Sequence, residues 1–499
     1  MSLTERRAGT AWPRLGSFVV GSCLVIAGCT VGPDYHPPRM AVRASFDGAR
    51  QADVKRWWEH FNDPALNQLV DRAVRSNLDV QLAAARVREA RAQLGFTTAG
   101  LFPMLSGTGS YSRSRISKNG FGFGSASSTS TSGTGTGGTG TTPAAPPVAF
   151  GIHTENDLYQ AGFDAGWEID VFGGTRRAIE AARADLEAGV EGQRDALVTL
   201  LSEVARNYII LRGVQNELAV VQQNVVAQRD TLDLTRSRFQ AGIATDLDVA
   251  RSEALVETTQ AQVPTLRTLI QQAIHRLGVL LDEDPGALEA ELIRPTPLPS
   301  GPPDVPVGLP SELLRRRPDV RRAERQLAAA TARIGVATAD LFPKFSLTGT
   351  LGLESNMLKT FARSESVLWS VGPSVSWQIF SAGQVQANIQ VQNEREREAL
   401  IQYRQVVLQS LSDVLDTLTA YNQEQARRNS LRQAVAANQR AVDLAKQLNQ
   451  AGVVDFLNVL QAQLNLYQSQ DQLAQSEQTV SANLVAVYKA LGGGWETFQ

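Results

Sequence analysis

The sequence predicts a mixed α and β membrane protein, internally duplicated, in which long coiled-coil helices alternate with short strands. Three observations carry that expectation. First, a ten-residue phrase occurs twice. Leu94-Gly95-Phe96-Thr97-Thr98-Ala99-Gly100-Leu101-Phe102-Pro103 returns as Ile334-Gly335-Val336-Ala337-Thr338-Ala339-Asp340-Leu341-Phe342-Pro343, an offset of 240 residues that Asp79-Val80 and Asp319-Val320 share. Farther along the offset becomes 210: Trp167 and Ile169 recur as Trp377 and Ile379, and Ala241-Gly242, Leu247 and Val249 recur as Ala451-Gly452, Leu457 and Val459. Second, apolar residues repeat every seventh position over an unusually long stretch. Third, four segments of roughly ten residues alternate apolar and polar side chains, the pattern of membrane strands. A duplication this long, without a catalytic signature, points to a symmetric built object such as a tube.

In chain order, Arg6, Arg7 and Arg14 precede an apolar run from Phe18 to Ala27, too short for a membrane-spanning helix but suited to the core of a secretory signal over residues 1–28. The run ends Ile26-Ala27-Gly28-Cys29, which resembles the box at which a bacterial lipoprotein is cleaved and diacylated on its new N-terminal cysteine. Cys29 is therefore the expected lipidation site. Cys23 would be discarded with the signal, so no disulfide framework is expected. Thr30 stands where lipoproteins retained in the inner membrane usually carry Asp, so by that resemblance the destination is the outer membrane, with the chain reaching into the periplasm.

Charged residues make up 20% of the chain and the net charge is −2. That balance suggests neither a nucleic-acid surface nor an acidic disordered tail. The Arg315-Arg316-Arg317 run is isolated and reads as a solvated helix start rather than a nucleic-acid patch.

Val190, Leu197, Val204, Leu211, Leu218, Val225, Leu232 and Phe239 form a strict heptad series in a stretch without proline. A helix of roughly 65 residues would extend about 100 Å. Leu400, Val407, Val414, Tyr421, Val435 and Val442 repeat the pattern, with Arg428 interrupting it. Both long helices stop at Ala-Gly, where Gly242 and Gly452 favour a left-handed cap, and an amphipathic run heads back from each. Two helical hairpins result, with tips at 241–249 and 451–459.

The expected strands cover about 104–114, 158–170, 344–354 and 367–380, each entered or left near a Leu-Phe-Pro turn at Pro103 or Pro343. Backbone groups in lipid must all be paired, so strands span only as a closed barrel, which takes about eight of them. Four strands per chain require several copies. From Asn119 to Pro147 the chain is nearly all Gly, Ser, Thr, Ala and Pro, which accounts for the change of offset; its Gly135-Thr136-Gly137-Gly138-Thr139-Gly140 matches a dinucleotide fingerprint only formally, since no strand enters and no helix leaves. An exposed loop is expected there. The domain plan is a first repeat over 29–282, a proline-rich equatorial linker over 283–310 running along the side rather than into the core, and a second repeat over 311–499.

Several motifs together resemble one family. They are the lipoprotein box; Trp58 with Phe61-Asn62-Asp63-Pro64-Ala65-Leu66; Leu309-Pro310-Ser311-Glu312-Leu313-Leu314-Arg315-Arg316-Arg317-Pro318-Asp319-Val320; both Leu-Phe-Pro turns; and Tyr488-Lys489-Ala490-Leu491-Gly492-Gly493-Gly494-Trp495. The chain resembles the TolC/OprM outer-membrane factors, in particular the NodT-like lipoproteins. The resemblance implies a homotrimer in which each chain supplies a four-strand sector of one 12-stranded β-barrel, continued by an α-helical periplasmic tunnel. It further implies the exit duct of a tripartite efflux system, working with a periplasmic adaptor and an inner-membrane transporter, for which the RND type is the expectation. The cargo stays open.

The resemblance also implies a periplasmic gate at the hairpin tips. Asp248 matches a tip acid that links neighbouring helices, with Asp246 and Arg251 within a turn; Asp246 has the competing role of capping the returning helix. The second tip departs from the family pattern, carrying Asn458 and Gln461 where paired acids are usual and Asp455 one turn earlier. No nucleophile with a base, metal-ligand spacing or nucleotide site is visible, so neither enzyme activity nor a cofactor is expected. His36, His60, His153 and His275 are scattered. Trp58, Trp167, Trp369 and Trp377 are candidates for an interfacial belt or for ordinary packing. The competing reading is a lipid-anchored coiled-coil scaffold or adaptor, which would need no barrel strands.

Overall fold

The computed structural model describes residues 30–38, 54–115, 155–302 and 316–498. Cys29 and the signal segment, the Gly/Ser/Thr-rich stretch, His153 and the Leu309–Arg315 part of one motif lie outside the described residues. The helices are α1 Pro64–Ser76, α2 Leu78–Ala99, α3 Gly174–Gln240, α4 Asp246–Gln260, α5 Gln262–Leu280, α6 Glu289–Leu292, α7 Pro318–Ala339, α8 Gln384–Gln450 and α9 Phe456–Ala490; the strands are β1 Met104–Arg115, β2 Glu155–Ile169, β3 Lys344–Ser355 and β4 Val367–Ser376. The duplication is visible in the lengths. Helices α2 and α7 have 22 residues each, β1 and β3 have 12 each, and α3 and α8 have 67 each.

The chain divides into two compact units, of which one comprises the described residues of 30–32, 96–177 and 335–386. Its centre is an antiparallel sheet in the order β1-β2-β3-β4. Leu105 pairs with Ala165, Phe163 with Leu351, and Leu351 with Trp369, so odd-numbered residues of all four strands share one face. That face is apolar and exposed at Leu105, Phe163, Leu351, Trp369, Val371 and Val375. The other face is hydroxyl-rich, with Ser346 and Ser374 in a hydrogen bond at 2.8 Å, Thr350 and Ser370 in another at 2.8 Å, and Gln160 donating to Glu354 at 2.7 Å. Among the described residues no helix is long and apolar enough to cross a membrane.

The Leu-Phe-Pro turns close the helices that lead into β1 and β3, with Phe102 N donating to Ala99 O and Phe342 N to Ala339 O. Each turn also receives an indole. Trp167 Nε1 donates to Leu101 O at 2.9 Å, and Trp377 Nε1 to Leu341 O at 3.1 Å. The fourth strand ends earlier than the alternation suggests: Trp377 and Ile379 lie beyond β4, where the chain turns through Ala382 and Gly383 at positive φ. A turn, rather than the sheet, takes over the alternating residues there.

The second unit holds the main core, in which Trp57, Trp58 and Phe61 pack with Leu66, Tyr208 and Tyr488. Its geometry explains three motifs. In Phe61–Leu66, Asn62 adopts φ +52°, Asp63 caps α1 by accepting from Ala65 N (2.8 Å) and Leu66 N (3.2 Å), and Pro64 opens the helix where no N–H is needed. Tyr208 OH adds a third bond to Asp63, at 2.8 Å. In the second motif Arg317 is buried, contrary to a solvated helix start. Its guanidinium pairs with Asp319 at 2.7 Å and Asp413 at 3.2 Å and donates to Ala490 O at 2.9 Å, which offsets the cost of removing its charge from water. In the third, Gly494 stands at φ +103° against Leu201, and Trp495 lies under the guanidinium of Arg194, 4.4 Å from the ring centre.

Two further expectations change. Trp58 is 2% exposed within this core, so it packs and does not belong to a belt, whereas Trp369 and Trp377 are exposed and Trp167 is half-buried. The linker also enters the core: Leu288 and Leu292 are fully buried, the latter in α6, and Arg212 donates to Leu292 O and Arg294 O. Apolar residues at that spacing outweigh the prolines around them. The returning helix of the first hairpin is broken at Ala261, two residues after Thr259 turns its hydroxyl to Leu255 O, and Pro264 sits in the first turn of α5.

Gly162 faces Gly352 across β2 and β3, and a Cβ on Gly352 would stand 2.8 Å from Ala161 O. Gly352→Val should separate these strands and cost about 2 kcal/mol or more, whereas Gly372→Val, with open space at its Cβ position, should be neutral within about 0.5 kcal/mol. Thermal melts of the detergent-solubilised protein check this; equal losses in both variants would contradict it.

Candidate functional site

The two hairpin tips share one turn. At the first, Gly242 stands at φ +73°, Gly242 N donates to Phe239 O at 2.9 Å and Ile243 N to Arg238 O at 2.9 Å. At the second, Gly452 stands at φ +74°, Gly452 N donates to Asn449 O at 3.1 Å and Val453 N to Leu448 O at 2.9 Å. Both turns satisfy the last carbonyls of a long helix and need a residue at ease at positive φ, which is why each helix stops at Ala-Gly.

The entries to the returning helices differ. Thr245 caps α4 in a capping box: its Oγ1 accepts from Asp248 N at 3.2 Å, while the Asp248 carboxylate accepts from Thr245 N at 3.1 Å and from Thr245 Oγ1 at 2.7 Å. The cap is thus Thr245 with Asp248, and Asp246, the first helical residue, is not the cap. Asp248 is half-buried and engaged within its own turn; Asp246 and Arg251 are exposed, and the structure joins neither to Asp248. At the second tip Asp455 holds the cap position without a side-chain bond. Asn458 Nδ2 donates to Asp455 O at 3.4 Å and Gln461 Nε2 to Asn465 Oδ1 at 3.1 Å. Beyond its cap residue Asp455, the second tip carries local amide bonds where the first carries the Asp248 carboxylate.

A link between the tips had no signal in the sequence. Arg238 Nη1 donates to Asn449 Oδ1 at 2.6 Å, and Asn449 Nδ2 turns back to Val454 O at 3.0 Å, so one side chain of α3 is tied to the closing turn of α8. Ile243 and Val453, and Leu247 and Leu457, project as matched exposed apolar pairs.

Farther along the same helices, Glu217 of α3 faces Asp471 of α9, and Gln475 Nε2 bridges them at 3.3 and 3.1 Å. Burial above all raises the Glu217 carboxyl; the bond from Gln475 opposes it, the neighbouring Asp471 adds to it, and together they bring the group up to about 7. Burial raises Asp471 as well. Neither acid belongs to a motif, and only the packing of two distant helices brings them together.

Pro103 and Pro343 end the turns already described. His60 Nδ1 and Tyr488 OH lie 2.9 Å apart, and His36 and His275 are exposed. Among the described residues no group of His, Cys, Asp or Glu is placed to hold a metal ion.

A sheet with one apolar and one polar face, joined in one chain to paired long helical hairpins, defines an outer-membrane channel protein. Residues 69–282 and 309–493 match the family described as "Outer membrane efflux protein", and the chain belongs to that family. "Nodulation protein T" of Rhizobium leguminosarum bv. trifolii is 30% identical over 95% of this chain and 96% of its own length. "Toluene efflux pump outer membrane protein TtgI" of Pseudomonas putida is 31% identical over 95% and 97%. The solved structure "Structural insights of the outer-membrane channel OprN" superposes with a TM-score of 0.83 at 34% identity, covering 94% of this chain and 100% of that one. The fold is that of the TolC-type trimeric channels, with a β-barrel and a helical tunnel, and the protein is an efflux exit channel of the outer membrane. The family is one of ducts rather than enzymes.

The folded chain holds a proton at Glu217 more tightly than the unfolded chain, whose ordinary value is 4.5, so this group makes stability fall as pH rises from that value to about 7. Glu217→Gln should flatten the fall between about pH 5 and pH 8 and leave the variant the more stable protein at the upper end. Melting curves across that range check it; parallel curves for the two proteins would contradict it.

Proposed function

We propose that three copies of this chain form a passive duct in which the sheet sectors close one barrel and the hairpin tips gate the periplasmic mouth. The observation that carries the reading is the sheet itself, exposed and apolar on one face and, among the described residues, unpartnered along the outer edges of β1 and β4. Strands in lipid need every edge paired, and copies of the same sector supply the partners. The scaffold alternative gives such a sheet no use.

Cys29 is the proposed site of diacylation, a second membrane attachment beside the barrel. The exposed apolar pairs at the tips suit a periplasmic adaptor, through which the duct couples to an inner-membrane transporter of the RND type; the duct itself needs no cofactor. Relatives are named for toluene, solvent and pyoverdine export, and small organic molecules are the proposed cargo class.

In the closed state Asp248, with Asp246 and Arg251 nearby, forms the charged part of the constriction at the first tip, while the second tip completes it with one acid, Asp455, and the uncharged amides of Asn458 and Gln461. Three copies of an acid near one axis repel one another and favour cations in the mouth. Asp248 also closes its own capping box, so two variants separate the roles. Asp248→Asn keeps an acceptor for Thr245 N and removes the charge; Asp248→Ala removes both and costs about 1 kcal/mol at the helix start. Both should raise single-channel conductance in planar bilayers and lower cation selectivity. An unchanged closed state in both would remove Asp248 from the gate.

A further inference from the structure

Arg428 interrupts the heptad of α8 at a position where the series before and after it is apolar, and it opens onto a cavity of about 430 Å³ between α8, α9 and the segment that follows α6. That segment is held firmly. Tyr421 OH donates to Pro302 O at 2.7 Å, Ser481 Oγ donates to Pro299 O at 2.8 Å, and a Cβ on Gly301 would stand 2.0 Å from Leu484 Cδ2. The cavity is therefore a built recess rather than a gap under a loose loop.

Among the described residues that line it, two guanidinium groups face one carboxylate. Arg428, Arg432 and Glu477 line it, and Arg432 pairs with Glu477 at 2.9 Å. Glu424, one turn before Arg428 on α8, is engaged by Arg427 at 3.0 Å and by Ser476 Oγ at 2.5 Å. Arg428 Nε is buried and, among the described residues, has no hydrogen-bond partner. That nitrogen is sealed off from the cavity as well, so it is the rest of the half-buried Arg428 side chain that lines the recess, at a heptad position where an apolar residue would have continued the series. A planar fork of donors beside a second guanidinium matches a planar oxyanion held by two bonds.

We propose that this cavity is a binding site for a carboxylate, with Arg428 as the principal contact and Arg432 as the second. The carboxylate comes either from a free small acid or from an acidic side chain of a polypeptide seated against the helices.

The test uses the full protein, purified and assembled in detergent, with glutarate as the probe. Glutarate should raise the melting midpoint saturably by about 1–2 °C over sodium chloride at the same ionic strength. Arg428→Gln should abolish the rise and Arg428→Lys should keep part of it. No rise in the unaltered protein overturns the proposal without recourse to any variant, as when a neighbouring copy already fills the recess; a rise that survives in a folded Arg428→Gln protein overturns it too. A blocked Ala-Glu-Ala peptide, compared with Ala-Gln-Ala, separates the sources. A rise with the Glu peptide supports a polypeptide side chain, and a rise with glutarate alone supports a free acid.

Discussion

The constraint on which the structure depends is that no backbone N–H or C=O survives unpaired at membrane depth. The four strands satisfy one another internally, yet β1 and β4 each keep an outer edge for which the described residues hold no partner. Closure therefore has to come from copies, and the rest of the sheet is arranged for it. One face carries side chains suited to lipid, the other carries short hydroxyls bonded across strands, and the Gly162–Gly352 pair lets β2 and β3 approach without a side chain between them. Pro373, on an edge strand, removes a donor where the ladder has only one neighbour within the chain.

Duplication gives each chain two versions of one device. Helix, Leu-Phe-Pro turn and strand recur at the same lengths, and the same indole-to-carbonyl bond fastens both turns, although the offset between donors is 210 residues and between acceptors 240. The device tolerates an insertion between its parts because the bond depends on where the strand ends, and not on the length of the loop beyond it. The halves diverge where function asks for asymmetry. The returning helix is broken in the first hairpin and continuous over 35 residues in the second, and a charged capping box at one tip faces an amide-bonded start at the other.

Much of this was legible in the sequence, because periodicity reports burial. The positions of Val204, Leu211, Val407 and Val414 in the heptads are those of fully buried residues, and Gly242 and Gly452 mark their turns because few other residues adopt positive φ. The series fails at its far end: Phe239 is exposed at the tip, where no neighbour among the described residues covers it. Arg317 was illegible as a buried charge, since its partners Asp413 and Ala490 lie far along the chain. The same holds for Arg238 with Asn449 and Glu217 with Asp471, which meet only after the helices have packed. Leu288 and Leu292 were masked by surrounding prolines, which describe the local backbone and say little about which side chains reach the core.

The account rests on closure between copies, and covalent capture at the open edges tests it most directly. With Ser110→Cys in β1 and Ser370→Cys in β4 of the same chain, a short bifunctional thiol reagent applied to membranes should yield a covalent trimer on denaturing gels, and either substitution alone should yield none. Monomers alone from the double variant, or a cross-link confined within one chain, would contradict the account.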